Sequence, residues 1–137
     1  MALQLNMIFV NLPVKNLERS KAFFTGLGFA FNDQYTNEQA ACLVISEHIY
    51  AMLLVESYFE TFTAGKPAAD ASKASEVMLA LAAKSREQVD EIAEKAVSHG
   101  GRALGEPVDH GFMYTRSFED PDGHLWEIMY MDPKAMS

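Results

Sequence analysis

Two amphipathic helical segments, each followed by glycine and by strand-like runs, divide this 137-residue chain into two similar halves. The first helix is predicted over residues 17–27, after the N-cap residue Asn16, with an apolar stripe opposite a charged side. The second is predicted over residues 86–98, where Ser85 and Gln88 form a capping box. Because both apolar stripes must be buried against neighbouring strands, this repeat is the strongest constraint on the fold.

Strand-like segments surround both helices, so each half has the order β-α-β-β-β. Aligning Asn16 with Ser85 offsets the two halves by 69 residues. The predicted class is α+β, with two βαβββ modules that form a curved eight-stranded mixed sheet around a cleft and the helices outside. The strands are expected over residues 3–14, 29–35, 40–45 and 49–55 in the first half, and over 75–83, 102–108, 113–118 and 124–131 in the second.

The length suits one domain, predicted to cover residues 1–137. Module one is expected over about residues 1–56 and module two over about residues 74–133. Between them, residues 57–73 contain Gly-Lys-Pro and many small side chains, which predicts a linker with one short helix in residues 57–62.

Composition excludes several classes of protein. A hydrophobic content of 49% argues against disorder, and a formal net charge of -8 makes nucleic acids and anionic membranes poor partners. No apolar run is long enough to span a bilayer, and no signal-peptide pattern is present, so a cytoplasmic protein is expected. Cys42 is the only cysteine and lies in an apolar strand, which predicts a core residue without a disulfide.

The stretch from Asp120 to Glu127 joins a tight turn to a strand. Its first four residues, Asp-Pro-Asp-Gly, favour a turn because proline presets φ and glycine accepts a positive φ. In the strand, Glu127 shares one face with Leu125 and Met129. A carboxylate among apolar neighbours costs free energy to bury unless it is paired, protonated or bound to metal. Either this face meets solvent or Glu127 belongs to a functional site, and periodicity leaves both interpretations open.

Three stretches together form a recognisable pattern: residues 12–29, residues 85–101, and Asp-Pro-Asp-Gly-His-Leu-Trp-Glu at 120–127. With the repeated element order, they resemble the vicinal oxygen chelate superfamily, which contains glyoxalase I, bleomycin resistance proteins and extradiol dioxygenases. Residues 109–133 are similar to members described as lactoylglutathione-lyase-like. The resemblance implies a small organic molecule as ligand or substrate. One hypothesis is a lyase or isomerase resembling lactoylglutathione lyase; the alternative is a metal-free protein that binds and sequesters a small molecule such as a drug.

The resemblance also implies a metal site in which the first, fourth, fifth and eighth strands supply ligands. Glu127 matches the eighth-strand ligand and would act as metal ligand or general base. Phe9 and Met78 occupy the usual histidine positions, and the fourth-strand position falls among Met52, Leu53 and Leu54. Because only one matched position carries a usual ligand, the pattern disfavours the extradiol dioxygenase triad and the metal-dependent glyoxalase I mechanism.

Other side chains are candidates for the same region. Glu76, Glu56 and His110 are substitute ligands for a divalent metal such as zinc, nickel, manganese or iron, although each also fits a solvated surface position. Asn11, Tyr114 and Arg116 are expected to line the ligand-binding cleft with Phe9 and Met78. Arg116 could instead pair with Glu119 at the surface, and Tyr114 could simply fill the sheet. The resemblance further implies a homodimer, and a third hypothesis is that the fold serves only as an interaction module.

Overall fold

The computed structural model describes residues 2–136, which form two compact units that meet between Ala69 and Asp70 in the sequence. Each unit contains a β-α-β-β-β core, so the predicted α+β class with two βαβββ modules is confirmed. No helix in residues 2–136 has the length and hydropathy needed to cross a membrane. The single cleft predicted from both modules stays a prediction.

The first unit is a four-stranded sheet with one long helix. The elements are β1 (Ile8–Val14), α1 (Leu17–Leu27), β2 (Ala30–Asn32), β3 (Ala40–Val44), β4 (Ile49–Val55) and α2 (Glu56–Phe59). The sheet has the order β1-β4-β3-β2, with β1 parallel to β4 and the other pairs antiparallel. Short 3-10 helices follow β2 and α2, over Asp33–Tyr35 and Glu60–Phe62.

Helix α1 begins and ends as its sequence predicts. Asn16 Oδ1 accepts a hydrogen bond from the backbone N–H of Arg19, and Gly28 adopts φ 108° at the C-terminus. The apolar side of α1 packs on the sheet, where Phe23 and Phe24 are 1% exposed and form an edge-to-face pair. Alternate strand residues on that side, such as Leu53, are also buried, so the opposite face of the sheet carries the unit's open surface.

The second unit repeats this plan with one more strand. The elements are β5 (Met78–Ala82), α3 (Arg86–Ser98), β6 (Arg102–Ala103), β7 (Val108–Asp109), β8 (Met113–Glu119) and β9 (Leu125–Met131). The sheet has the order β5-β9-β8-β6, with β7 also pairing with β8, and β5 runs parallel to β9. Helix α3 packs on the face that buries Phe118, Trp126 and Ile128.

Four predicted strands differ from the structure by more than one residue at an end, and one of them, expected over residues 75–83, covers only Met78–Ala82. The strand expected over residues 3–14 begins at Ile8, because its partner β4 begins at Ile49 and offers residues 3–7 no hydrogen bonds. The strand expected over residues 29–35 ends at Asn32, which caps a 3-10 helix. The strand expected over residues 102–108 is broken into β6 and β7. Gly105 has φ 73° and Pro107 has no N–H to donate, so the segment between these two strands leaves the ladder.

The Asp120–Gly123 turn packs closely against another segment of the second unit. A Cβ placed on Gly123, where φ is 95°, would lie 2.8 Å from the carbonyl oxygen of Ala71. Residues at the end of the predicted linker therefore pack directly on this turn and belong to the second unit.

Candidate functional site

Glu127 lies on the face of the second sheet that points away from α3. The register pairs it with Ala80 on β5 and Ser117 on β8, so these two side chains are its direct cross-strand neighbours. The Glu127 side chain is half-buried, and within residues 2–136 its carboxylate has no hydrogen-bond or ion-pair partner. Among the described residues, the Glu127 carboxylate is therefore unpaired on a face that also carries Leu125, Met129 and the ion-paired Glu119.

Asp120 fixes the start of the strand that carries Glu127. One carboxylate oxygen, Oδ1, accepts hydrogen bonds from the backbone N–H groups of Asp122 and His124 at 2.9 and 3.0 Å. The other, Oδ2, accepts from Trp126 Nε1 at 3.0 Å. Burial raises the pKa of the Asp120 carboxyl, and the neighbouring His124 and the three donors oppose part of that shift. The turn and β9 are thus joined by one buried carboxylate.

The predicted partners of Glu127 lie at different distances from it along the same sheet. Met78 lies on the same face of the sheet as Glu127 and is its diagonal cross-strand neighbour, because Met78 pairs with Leu125, two residues before Glu127. Glu76 lies four residues before the Glu127 partner Ala80, and His110 lies beyond the far end of β8. Neither of them is a register partner or a diagonal neighbour of Glu127 in the sheet. Met78 is 44% exposed, so this face is accessible.

Tyr114 and Arg116 lie on the opposite face from Glu127, which corrects their expected place beside it. In β8 they alternate with Thr115 and Ser117, and they face α3. The Tyr114 hydroxyl donates to Asp90 at 2.5 Å, and Arg116 Nη1 donates to the same carboxylate at 3.1 Å. The hydrogen bond from Tyr114 lowers the pKa of Asp90, and Asp90 in turn raises the pKa of Tyr114. These residues hold α3 against β8.

A concave surface of the first unit lies on the open face of its sheet. Phe9 and Tyr50 are register partners on β1 and β4, and their rings stack with centroids 4.9 Å apart and planes 13° apart. They border a depression of 410 Å³, which is within the range of small-molecule sites. Its lining consists of Met7, Phe9, Asn32, Tyr35, Cys42, Tyr50 and Met52.

A second depression of 290 Å³ adjoins the first, and both include Tyr35 and Met52. We call the two depressions together the first-sheet groove. Asn11, a predicted cleft residue, lines the second one, while Glu56 opens α2 and does not line either. The remaining lining of the second depression is Gln34, Asn37, Ala40, Leu54, Tyr58 and Phe62.

The sequence predicts Phe9 and Asn11 as cleft residues but does not predict most of the other residues that line the groove. Residues 29–35, which include Asn32 and Tyr35, are predicted as a strand, and Asn37 is predicted in the turn that follows. The structure instead has a 3-10 helix over Asp33–Tyr35. A signal was present, since Asn32 and Asn37 are residues that cap turns with their side chains. The prediction that Cys42 is a core residue is confirmed, because its side chain is 1% exposed at the base of the groove.

The residues at the matched metal positions do not fit a hard divalent cation. The offset of 69 carries Asn11 onto Ala80, and their partners on the neighbouring parallel strands are Met52 and Glu127, so Met52 is the first-unit counterpart of Glu127. Phe9, Met52 and Met78 offer a ring and two thioethers where carboxylates or imidazoles would be required. Among residues 2–136, no three His, Cys, Asp or Glu side chains are grouped closely enough to hold a metal ion.

Comparison with known proteins agrees with this architecture. The family model described as Glyoxalase/Bleomycin resistance protein/Dioxygenase superfamily matches residues 5–128. The fold and the open sheet faces thus define a protein of the βαβββ class. The chain belongs to the glyoxalase, bleomycin resistance protein and dioxygenase superfamily.

Solved structures show the same fold at low sequence identity. The hypothetical protein SA1046 from S. aureus has a TM-score of 0.76 and 25% identity, covering 93% of this chain and 94% of that one. A glyoxalase-related enzyme from Fulvimarina pelagi has a TM-score of 0.77 and 22% identity, with 93% and 88% covered. A bleomycin resistance determinant encoded on the transposon Tn5 has a TM-score of 0.65 and 18% identity, with 93% and 99% covered. No curated protein matches the chain.

Proposed function

We propose that this protein binds a small organic molecule in the first-sheet groove, and that binding requires no divalent metal. The observation that carries the proposal is the groove itself, a preformed concave surface bordered by the Phe9–Tyr50 stack. Its size and mainly apolar lining are typical of a small-molecule site. The apolar side chains at Phe9, Met52 and Met78 support the metal-free part of the proposal.

Methionine methyl groups allow a direct test of this function. The chain has 8 methionines; Met7 and Met52 line the groove, whereas Met78 and Met129 lie on the open face of the second sheet. In metal-free protein labelled with [methyl-13C]methionine, members of a mixed fragment set should shift the Met7 and Met52 signals and leave Met78 and Met129 in place. Shifts confined to Met78 and Met129 would contradict the assignment to the first unit.

A second candidate function is lyase or isomerase chemistry resembling that of lactoylglutathione lyase, with Glu127 as general base. It is favoured by one observation, the half-buried Glu127 carboxylate that lacks a partner within residues 2–136. Such a base would remove a proton next to a substrate carbonyl. The metal-dependent form of this mechanism would additionally require substitute ligands, for which Glu76, Glu56 and His110 remain the proposed residues.

Calorimetric titration with metal ions separates the proposed function from the metal-dependent form of the second candidate. The proposed function predicts no tight stoichiometric binding of zinc, nickel or manganese to wild-type protein or to Glu127→Gln, which keeps the shape of the side chain and removes its charge. Tight binding by wild type that is lost in Glu127→Gln would instead support a metal site at this residue and the enzyme hypothesis.

We also propose that the protein forms a homodimer. Its proposed location is the cytoplasm, as expected from the sequence. Leu3 and Leu5 are 85% and 83% exposed, and residues 2–14 include no charged side chain, so this segment offers apolar surface to a second copy. Sedimentation velocity at micromolar concentration should show a dimer; a monomer across that range would contradict this proposal.

A further inference from the structure

We propose that the first-sheet groove selects an uncharged, flat aromatic molecule that carries hydrogen-bond acceptors, such as an aryl ketone. This inference rests on the proposed function and specifies the chemical class of its ligand. Three independent features of the groove support it: the charge of its lining, the arrangement of its rings, and the orientation of its side-chain amides.

The first feature is the absence of charge. The chain carries 19 acidic and 11 basic residues, yet among the described residues those that line the groove include no Asp, Glu, Lys, Arg or His. A charged ligand would lose hydration there without gaining an opposite charge, which is costly. The net charge of -8 adds long-range repulsion for anions. An uncharged ligand avoids both costs.

The second feature is a set of aromatic surfaces that are held in place. The Tyr50 hydroxyl donates to the carbonyl oxygen of Glu47 at 2.8 Å, which fixes the ring that stacks with Phe9. Phe9 remains 51% exposed and Tyr35 remains 60% exposed, so ring surface is available at the groove. Flat aromatic molecules gain the most from such surfaces, through offset or edge-to-face contacts.

The third feature is the orientation of two asparagine side chains. Asn32 Oδ1 accepts from the backbone N–H of Gln34 at 3.0 Å, and Asn37 Oδ1 accepts from Gln39 and Ala40 at 2.8 and 3.1 Å. Because only the amide oxygen can accept these bonds, each amide orientation is defined and the Nδ2 group is left to donate. The groove wall therefore offers donors, which match acceptors on a ligand.

The loop that carries these amides is anchored to the sheet. Thr36 Oγ1 donates to the carbonyl oxygen of Asn32 at 2.8 Å and accepts from the backbone N–H of Cys42 at 3.1 Å. The donors are thus positioned before a ligand binds, so less conformational entropy is lost on binding.

Three related probes test the ligand class. Chromone is flat, uncharged and carries a carbonyl acceptor; chromone-2-carboxylate adds a negative charge; chroman lacks the carbonyl and is less flat. With methionine methyl NMR as the readout, chromone should shift Met7 and Met52. Chromone-2-carboxylate and chroman should each bind at least about tenfold more weakly.

Three variants make the test specific to the groove. Asn32→Asp retains an oxygen for the Gln34 N–H, and so the turn, but replaces the amide donor with a charged oxygen; chromone should bind at least about tenfold more weakly. Phe9→Ala should also weaken chromone binding. Phe112→Ala is the matched control, because Phe112 is 53% exposed and lies in the second unit. It should leave chromone binding unchanged.

The outcomes separate this inference from the proposed function. If chromone-2-carboxylate shifts Met7 and Met52 at the same or lower concentration than chromone, the ligand class is wrong and the groove remains a binding site. If neither these probes nor a mixed fragment set shifts either signal, both proposals fail. If the Met52 signal shifts with protein concentration alone, a second copy of the chain covers the groove and the ligand class is again overturned.

Discussion

Gly123→Ala is expected to destabilise the second unit by about 3–4 kcal/mol, through backbone strain and a steric clash together. Gly123 has φ 95°, a conformation that costs an L-residue roughly 1–2 kcal/mol. Its new Cβ would also lie 2.8 Å from the oxygen and 2.9 Å from the carbon of the Ala71 carbonyl. Because the obstacle is backbone and not a flexible side chain, the segment at residues 70–73 would have to move.

Gly100→Ala measures the conformational strain alone, so the difference between the two variants gives the steric part of the effect. Gly100 lies in the same unit with φ 107°, and nothing within 4 Å would meet its Cβ, so only the conformational strain of about 1–2 kcal/mol should appear. Urea unfolding followed by fluorescence measures both variants, since the one tryptophan, Trp126, is buried in this unit. Equal losses in the two variants would show that the contact with Ala71 has no energetic consequence.

The sequence predicted best those features that depend on local chemistry. Both long helices have the predicted bounds, because capping residues and a 3.6-residue period are local signals. Strand β4 also has its predicted bounds. The period of two along one strand correctly places Glu127 on the opposite face of the sheet from Trp126 and Ile128.

Features that depend on a partner strand could not be predicted in the same way. Tyr114 and Arg116 alternate as any strand residues do, but only the register with β9 shows that they share the helix side with Ile128. The start of β1 likewise depends on where β4 begins. The groove combines Phe9, Tyr35 and Tyr50 from separate elements, so no local period could have joined them.

Asp120→Asn is expected to cost about 2–3 kcal/mol of unfolding free energy, although it changes the side chain by a single group. The amide oxygen of asparagine can still accept from the N–H groups of Asp122 and His124. The amide nitrogen, however, would replace the Oδ2 atom that accepts from Trp126 Nε1 at 3.0 Å. Two donors would then face each other in a site where Asp120 is 5% exposed, and neither could turn to solvent.

A double-mutant cycle with Trp126→Phe tests this cause directly. Trp126→Phe removes the indole donor, so the combined variant has no opposed donors, and its loss should be smaller than the sum of the single losses by about 1–2 kcal/mol. Unfolding should be followed by circular dichroism, because Trp126→Phe removes the fluorescent group. Asp33→Asn, at an exposed position, is the control and should change stability by no more than about 0.5 kcal/mol. Strict additivity would mean that Asp120 stabilises the turn through its backbone bonds alone, independently of the strand that carries Glu127.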